Sequence, residues 1–358
     1  MKFIRPFRCM TAQKILRLSF IIIIPFALLS CGETDTAINQ EPEKIEFIIP
    51  SNFPAPLYNI SRNPITTDGF ILGRTLFYDG ILSRDGTISC GTCHQQSAAF
   101  AHAAHDLSHG IDDQLTLRNT PALHNLAWQK EFFWDGGVGD LDLFAINPIQ
   151  AHNEMDETLP NVLNKLRQSA KYPPLFKKAF GSDSITLERF LKALSQFQLM
   201  CMSSNSRFDK YQRGEASLTA EEMQGKTLFD NKCTSCHKGT FFTDLSYRNN
   251  GLTIRNKADS GRAMITLNPA HAYQFKVPSL RNITETAPYM HDGRFSSLEK
   301  VLDHYDKGVK DSPTLDPLLR QGTILGIPLT AEEKRLIIVF LATLKDDTFL
   351  RNRLLSQQ

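Results

Sequence analysis

The stretches CGTCH at residues 90–94 and CTSCH at residues 233–237 decide the organisation of this chain. Both have the Cys-x-x-Cys-His form that attaches a c-type haem. Two thiols one helical turn apart can reach the two vinyl groups of one porphyrin, and the adjacent His then presents its imidazole to the iron. We therefore expect two covalently bound haem c groups, with His94 and His237 as the proximal iron ligands. The cysteines expected to form the thioether bonds are Cys90, Cys93, Cys233 and Cys236.

Other uses of a Cys-x-x-Cys pair do not account for these two stretches. A thioredoxin-like redox pair or half of a zinc site needs no His beside the second Cys. With 7 Cys and 10 His among 358 residues, one copy of the full pentapeptide is expected by chance in roughly 0.004 of such chains. Two independent copies therefore favour haem attachment.

Composition is that of a globular protein, with 41% hydrophobic and 22% charged residues. A chain of 358 residues is long enough for two domains with separate cores. The net charge of +2 includes five basic residues and no acids in the first thirty positions, so the remainder is mildly acidic. No basic stripe indicates nucleic-acid binding. Cys201, in an apolar run, is expected to be a buried core thiol.

Residues 1–31 are predicted to be an export signal. A basic segment precedes the apolar run at residues 18–29, which is too short to span a bilayer as a mature helix. The sequence then reaches Leu-Ser-Cys-Gly, which resembles a lipoprotein cleavage site with Cys31 as the acylated residue. An ordinary signal peptide is the alternative. We expect a periplasmic protein held at the membrane only by lipid on Cys31, with residues 32–60 as a flexible tether.

The two halves of the chain share several short patterns at similar offsets. A Gly-x-Thr-Leu-Phe pattern precedes each haem motif, a Pro-x-Leu-x-Asn pattern follows it, and an Asp-Gly pair comes next. Shared spacing over such a length predicts a duplicated haem domain. The paired segments are residues 73–77 and 225–229, 121–125 and 278–282, and 135–136 and 292–293.

Apolar residues at three- and four-residue spacing predict a mainly α protein. Capping signals at Thr186, Ser297 and Thr330 mark three of the helix starts. We predict two cytochrome c-like haem domains at residues 61–214 and 215–358, with the boundary in the polar segment Ser203–Gly214. The predicted helices are Leu159–Arg167, Thr186–Met200, Leu218–Phe229, Ser297–Tyr305 and Thr330–Leu344.

A set of longer motifs between residues 68 and 350 resembles the bacterial dihaem cytochrome c peroxidase family, which includes MauG. In that family the first haem binds hydrogen peroxide, and the second relays electrons to it from a small donor such as a cytochrome c or a cupredoxin. The motifs that carry the resemblance are Leu72–Asp79, Phe133–Gly136, Asn153–Met155, Lys276–Asn282, Pro288–Gly293 and Leu336–Leu341.

The resemblance assigns roles to residues that the sequence alone does not distinguish. Glu154 matches the family's distal acid and base, although by itself it would be taken as one solvated residue among 38 acids. Trp134 matches a Trp that lies between the haems and carries electrons. Asn119, together with the carbonyls of Thr286 and Pro288, matches a set of oxygen ligands that would hold one Ca²⁺.

Tyr305 stands where the peroxidases have a Met that binds the second haem, fourteen residues after His291. MauG-like members have a Tyr at this position as the axial ligand. A phenolate stabilises ferric iron and would lower the reduction potential of that haem. His304 and Met290 are the alternative ligands, and an open position is a third possibility.

The first haem also departs from the peroxidase pattern. Aligned without a gap, the His that caps this haem in the peroxidases falls on Ile111, so either His109 reaches the iron by a shifted loop or the haem is open. We favour an open haem, with His102 and His105 as solvated loop residues. Phe144 replaces a pocket Gln, which removes a hydrogen-bonding group from the distal side.

These features predict an oxidoreductase that reduces hydrogen peroxide to water. The alternative enzyme is a MauG-like oxidase that modifies a protein or a small molecule. A dihaem electron carrier without catalysis is a third reading, in which Glu154 would have no role.

Overall fold

The structure is a computed structural model that describes residues 45–358. The predicted signal peptide, Cys31 and residues 32–44 lie outside the described residues. Within the described part of the chain, no helix is long and apolar enough to cross a membrane.

The described chain is mainly helical, as the sequence predicts, and its few strands are two residues long. Its α-helices are α1 Thr67–Phe77, α2 Cys90–Cys93, α3 Ile146–Gln150, α4 Leu159–Gln168, α5 Tyr172–Phe180, α6 Leu187–Met200, α7 Arg207–Gln212, α8 Ala220–Lys232, α9 Ala263–Thr266, α10 Leu298–Asp303, α11 Ala331–Ala342 and α12 Asp347–Leu350. A π-helix, His304–Gly308, continues α10. The strands are β1 Tyr247–Arg248, β2 Phe275–Lys276, β3 Arg320–Gln321 and β4 Ile324–Leu325, paired antiparallel as β1–β2 and β3–β4.

The five predicted helices are present, with ends that differ by up to three residues. Thr186 and Ser297 cap α6 and α10 by accepting a backbone N–H, and Thr330 forms a capping box with Glu333 at α11. Short 3₁₀-helices occupy many of the connections. They are Ile60–Arg62, Gly80–Leu82, Gln96–Ala98, Ile111–Asp113, Leu126–Trp128, Leu141–Leu143, Pro269–His271, Ile283–Glu285, Pro317–Leu319 and Arg353–Leu355.

Each half has one dominant helix pair, α1 against α6 and α8 against α11. Glycine makes both crossings possible. A Cβ on Gly73 would lie 1.9 Å from the carbonyl oxygen of Ala193, and one on Gly225 would lie 2.0 Å from that of Leu336. The Gly of each Gly-x-Thr-Leu-Phe pattern therefore lets two helix backbones approach closely. This equivalence fits the predicted duplication, which stays a prediction.

The prediction of a flexible tether over residues 32–60 is wrong for the described residues 45–60. Ile45 and Phe53 are buried in the core of the first half, and Phe53 packs edge-on to Trp128 with ring centroids 5.1 Å apart. Trp128 Nε1 also donates a hydrogen bond of 2.7 Å to the carbonyl of Pro54. Scattered apolar residues in a polar, Pro-rich segment give no periodic signal, so their burial was not visible in the sequence.

Residues on each side of the predicted domain boundary pack in the core of the other half. Phe208 packs in the core of the second half, although it precedes residue 215. Conversely, Phe349, Leu350 and Leu355 near the C-terminus are buried in the core of the first half. Residues 45–358 belong to one compact unit. Hydrophobic patterning shows which residues are buried, but not which core they join.

The segment Ser203–Gly214, predicted as a polar boundary, contains α7 and a buried ion pair. Asp209 accepts hydrogen bonds of 2.8 and 2.7 Å from Arg281, and their side chains are 0% and 1% exposed. Ser206 caps α7 and binds the same carboxylate. This buried pair fixes the chain where it passes between the two halves.

Candidate functional site

The first haem motif lies at the short helix α2, which places Cys90 and Cys93 one turn apart. Its His94 is turned by a hydrogen bond of 2.6 Å from Nδ1 to the carbonyl of Phe100. Burial lowers the pKa of His94 to about 4, so the ring is neutral. A neutral imidazole whose Nδ1 is bound to a carbonyl leaves Nε2 for a metal.

The second motif follows the end of α8 and repeats this arrangement. Nδ1 of His237 donates to the carbonyl of Phe242 at 2.9 Å, and burial lowers the pKa of His237 as well. Cys233, Cys236 and His237 lie on the wall of a cavity of about 660 Å³. Both sets of residues fit a covalently attached haem, because the thiols are paired and the imidazoles are oriented and neutral.

An unsatisfied polar atom in the same cavity also fits a bound group. His124 lines the cavity, and its Nδ1 is the one buried side-chain nitrogen or oxygen without a hydrogen-bond partner among residues 45–358. Buried polar atoms nearly always have a partner, and a haem carboxylate could supply one here. His124 was not among the residues predicted to be functional. Its signal was the repeat itself, since Arg281 occupies the matching position in the second half.

The structure brings Glu154 close to the first haem motif. Burial is the main reason that the pKa of the Cys90 and Cys93 thiols is raised, and the nearby charge of Glu154 adds to it. Burial also raises the pKa of Glu154 itself, and among residues 45–358 no cation offsets this effect. A carboxyl whose pKa is raised in this way is better able to exchange a proton with a bound substrate than a solvated one.

Two loops hold the turn that carries Glu154. The backbone N–H of Ile111 donates to the Glu154 carbonyl at 2.8 Å. From the other side, Arg84 forms ion pairs with both Asp112 and Asp156. The carboxyl is therefore positioned by contacts that no local sequence pattern reveals.

The loop that carries His109 and Ile111 lies against the turn of Glu154. Ile111 is buried beside Glu154, whereas His109 is 46% exposed and pairs with Asp113 at 2.5 Å. The expectation that His102 is solvated is wrong. It is buried, hydrogen-bonds Ser108 at 2.7 Å, and stacks on His105 with centroids 4.2 Å apart.

Phe144 fills its position by packing against two other aromatic rings. The Phe144 centroid is 5.3 Å from that of Phe132 and 4.7 Å from that of Phe133, and all three rings line the cavity. This part of the wall is apolar, in agreement with the loss of a polar side chain that the sequence predicts.

Trp134 is held by both halves of the molecule. Its Nε1 donates to the carbonyl of Asn119 at 2.8 Å, and its own carbonyl accepts from the backbone N–H of Lys276 at 2.7 Å. The indole lines the cavity that also contains the second haem motif. This position between the halves suits the electron-transfer role that the resemblance implies.

The three residues expected to bind calcium line the same cavity. These residues are Asn119, Thr286 and Pro288. Asn119 Nδ2 donates to the carbonyls of His105 and Asp106, so Oδ1 is the side-chain atom that could bind a cation. The calcium site stays a prediction.

The structure separates one of the three candidates for the axial ligand of the second haem from the other two. Tyr305 and Met290 line the cavity with Cys236 and His237. His304 is instead buried outside that wall, with Nε2 hydrogen-bonded to the carbonyl of Asn250 at 3.0 Å. Tyr305 lies in the π-helix that follows α10, a rare geometry that often marks functional sites.

Comparison with known proteins identifies the family. Residues 67–217 match the family described as di-haem cytochrome c peroxidase. The methylamine utilization protein MauG of Methylorubrum extorquens is 35% identical over 330 residues, which cover 89% of this chain and 91% of that protein. The chain belongs to the dihaem cytochrome c peroxidase and MauG family.

Two further relatives of the dihaem cytochrome c peroxidase and MauG family support this. Cytochrome c551 peroxidase of Nitrosomonas europaea is 34% identical and covers 67% of this chain and 73% of that protein. A crystal structure of a MauG-like protein associated with microbial copper homeostasis superposes with a TM-score of 0.78 at 32% identity, covering 87% of this chain and 99% of that one.

Membership in this family confirms two of the predictions from the sequence. The chain is a mainly α oxidoreductase of the dihaem cytochrome type, and haem c is its cofactor. The relatives carry two names, peroxidase and MauG, so they establish the family and leave the reaction to be argued from the site.

Proposed function

We propose that this protein reduces hydrogen peroxide to water at its first haem. Electrons would come from a small redox protein, a cytochrome c or a cupredoxin, and enter at the second haem. The observation that carries the proposal is Glu154, a desolvated carboxyl beside the first Cys-x-x-Cys-His motif whose pKa is raised by burial. A carrier that only passes electrons has no use for such a group.

Each residue of the site has a separate role in the proposed reaction. When bound, the first haem would supply the iron that reacts with peroxide and would pass on the electrons for its reduction. Glu154 accepts the proton from the near oxygen of peroxide and returns it to the departing oxygen, and its raised pKa suits both steps. The apolar rings of Phe144, Phe132 and Phe133 would exclude water from the side where peroxide binds. Trp134, held by both halves, provides the electron path.

The placement of the protein belongs to the same proposal. Relatives that act as cytochrome c peroxidases suggest a periplasmic setting, and Cys31 would anchor the chain to the membrane through lipid. One Ca²⁺ bound by Asn119, Thr286 and Pro288 would fix the segment that holds Trp134, because Asn119 also accepts the indole N–H.

A second candidate function is MauG-like oxidation of a protein or a small molecule. Two observations favour it: Tyr305 lies on the wall of the second haem cavity, and His109 uses its Nδ1 in a 2.5 Å contact with Asp113 of its own loop. Hydrogen peroxide titration of the fully ferric protein separates the two. An immediate change in the haem absorption bands, without reductant, indicates an open first haem and a MauG-like oxidant, and a change only after one-electron reduction indicates a gated peroxidase.

The variant Glu154→Gln tests the proposed function. It keeps the size of the side chain but removes the acid and base, so we expect the rate of peroxide reduction to fall by about 10²–10⁴-fold. Glu188→Gln is the matched control, because it makes the same substitution at an exposed glutamate that pairs with Lys192 on α6. Stopped-flow absorption of the haem bands measures the rate. Unchanged turnover in Glu154→Gln would remove the peroxidase proposal and leave an electron carrier.

A further inference from the structure

A tyrosine with no role in the proposed reaction lies beside Trp134. Tyr247 donates its phenolic hydrogen to Glu131 Oε2 at 2.8 Å. Its hydroxyl packs against Gly136, where an added Cβ would come within 1.8 Å of the Tyr247 oxygen. Gly136 is two residues from Trp134, so the phenol lies against the turn that carries the indole.

Backbone hydrogen bonds connect the same groups. Tyr247 in β1 is the direct partner of Lys276 in β2. The N–H of Lys276 donates to the Trp134 carbonyl at 2.7 Å, and its Nζ donates to the carbonyl of Glu131 at 2.7 Å. Tyr247, Glu131 and Trp134 are therefore held in one rigid cluster that includes both halves of the protein.

Glu131 is prepared to accept a proton. Burial by itself opposes ionisation, but hydrogen bonds from Arg262 and Tyr247 outweigh it and hold the pKa of Glu131 below its usual range. The carboxylate is thus charged at neutral pH. A phenol that loses an electron becomes a strong acid, and a carboxylate already hydrogen-bonded to it takes the proton without rearrangement.

Arg262 makes proton loss necessary for the oxidation. Its guanidinium carbon lies 4.1 Å from the centre of the Tyr247 ring, and its Nη2 donates to Glu131 Oε1 at 2.9 Å. A positive charge on the ring face stabilises the neutral ring and disfavours a cation there. The electron and the phenolic proton must therefore leave together, which produces a neutral radical.

We propose that Tyr247 is a redox-active relay that passes oxidising equivalents from Trp134 towards the surface beside α9. The inference rests on the proposed function, since peroxide is the oxidant. Tyr247 loses one electron to the oxidised site at Trp134 and its proton to Glu131. One electron from a reduced protein at the surface beside α9, an entry point separate from the second haem, together with return of the proton from Glu131, restores the phenol. Each peroxide supplies two such one-electron oxidations.

The surface beside this cluster suits the delivery of that electron. Arg262 precedes α9 directly and donates to the carbonyls of Asp135 and Gly136 at 2.8 and 3.1 Å. Leu267, at the end of α9, is 85% exposed, and Met264 and Ile265 are more than 40% exposed. A reductant at this apolar surface would lie against the elements that hold Tyr247.

Freeze-quench electron paramagnetic resonance on the full dihaem protein tests the relay. The ferric protein is mixed with hydrogen peroxide without donor, once with natural tyrosine and once with ring-deuterated tyrosine. We expect a radical signal that narrows on deuteration and is lost in Tyr247→Phe. Tyr58→Phe is the matched control, because Tyr58 also donates to a carboxylate, Asp142, at 2.8 Å but lies in the first half away from Trp134.

A second variant tests the relay by changing the proton acceptor and leaving the tyrosine in place. Glu131→Gln retains Tyr247 but cannot take its proton, so we expect the signal to be lost there too, and thermal unfolding checks that the variant is folded. Two outcomes would overturn the relay and leave the proposed function intact, provided that the haem bands respond to peroxide. In one, the tyrosyl signal persists in Tyr247→Phe. In the other, the unaltered protein gives no tyrosyl signal. Haem bands that do not respond at all would overturn both.

Discussion

The buried ion pair between Asp209 and Arg281 allows a prediction with a worked magnitude. Both side chains are inaccessible to water, and two charge-assisted hydrogen bonds of 2.8 and 2.7 Å join them. Asp209→Asn removes the negative charge but keeps the size of the side chain. Arg281 then remains as a buried charge without a carboxylate partner, because its other hydrogen bonds go to the carbonyls of Thr240 and Ser203 and its guanidinium otherwise faces the rings of Phe53 and Phe241.

Breaking such a pair by removing one partner costs about 3–5 kcal/mol. For a protein of this size, 1 kcal/mol corresponds to about 1.5 °C in the melting temperature, so Asp209→Asn should melt roughly 4–8 °C lower. The double variant Asp209→Leu/Arg281→Met removes both charges and should recover most of the loss, since an apolar pair of similar volume is often as stable as a buried ion pair.

The loss of stability in Asp209→Asn should become smaller as the pH falls. Burial opposes ionisation of Asp209, but hydrogen bonds from Arg281 and Ser206 outweigh it and hold the pKa of the carboxyl below its usual range. A carboxyl with a lowered pKa in the folded state contributes stability above its unfolded pKa of about 4 and loses it as the pH falls through the folded value. The difference between the original protein and Asp209→Asn should therefore be full at neutral pH and shrink in acid.

Differential scanning calorimetry of the dihaem protein measures these melting temperatures. Arg335→Met is the control, because its partners Glu332 and Glu221 are exposed and we expect little change. A melting temperature of Asp209→Asn within about 1.5 °C of the original protein, a shift of about 1 kcal/mol, or a loss that is the same at every pH would contradict the prediction.

Two further predictions concern groups on the cavity wall. Tyr305→Met should raise the midpoint potential of the second haem, because a thioether stabilises ferric iron less than a phenolate does; an unchanged potential in spectroelectrochemical titration would mean that Tyr305 is not the ligand. Burial lowers the pKa of Lys276 to about 8, whereas the unfolded chain has a value of about 10.4, so stability should rise by about 3 kcal/mol between these pH values. Lys276→Met should abolish this rise in chemical unfolding at a series of pH values, and parallel curves for the two proteins would contradict the assignment.

The sequence determined what depends on residues close together along the chain. The two Cys-x-x-Cys-His motifs predict haem attachment because the thiols and the imidazole must lie within one helical turn. Caps such as Thr186 and Thr330 predict helix starts because they act on backbone N–H groups two or three residues away. The helical fold class followed from hydrophobic spacing for the same reason, and long motifs in fixed order pointed to the family.

Contacts between distant parts of the chain could be identified only in the folded structure. The sequence could not show that Phe349 and Leu355 return to the first core, that residues 45–60 pack on it, or that Asp209 meets Arg281. These contacts depend on shape complementarity between helices that are far apart in sequence, which no local pattern encodes.

The electrostatics of the site also required the fold. Glu154 has a raised pKa because its partial burial in the folded chain disfavours the charged form, whereas Glu131 has a lowered pKa because Arg262 and Tyr247 donate hydrogen bonds to it. In the sequence the two are equivalent acidic residues. Burial and hydrogen-bond partners set the free energy of a charged group, and both exist only once the chain is folded. The sequence therefore shows which residues are acidic, and the folded structure shows how their pKa values are shifted.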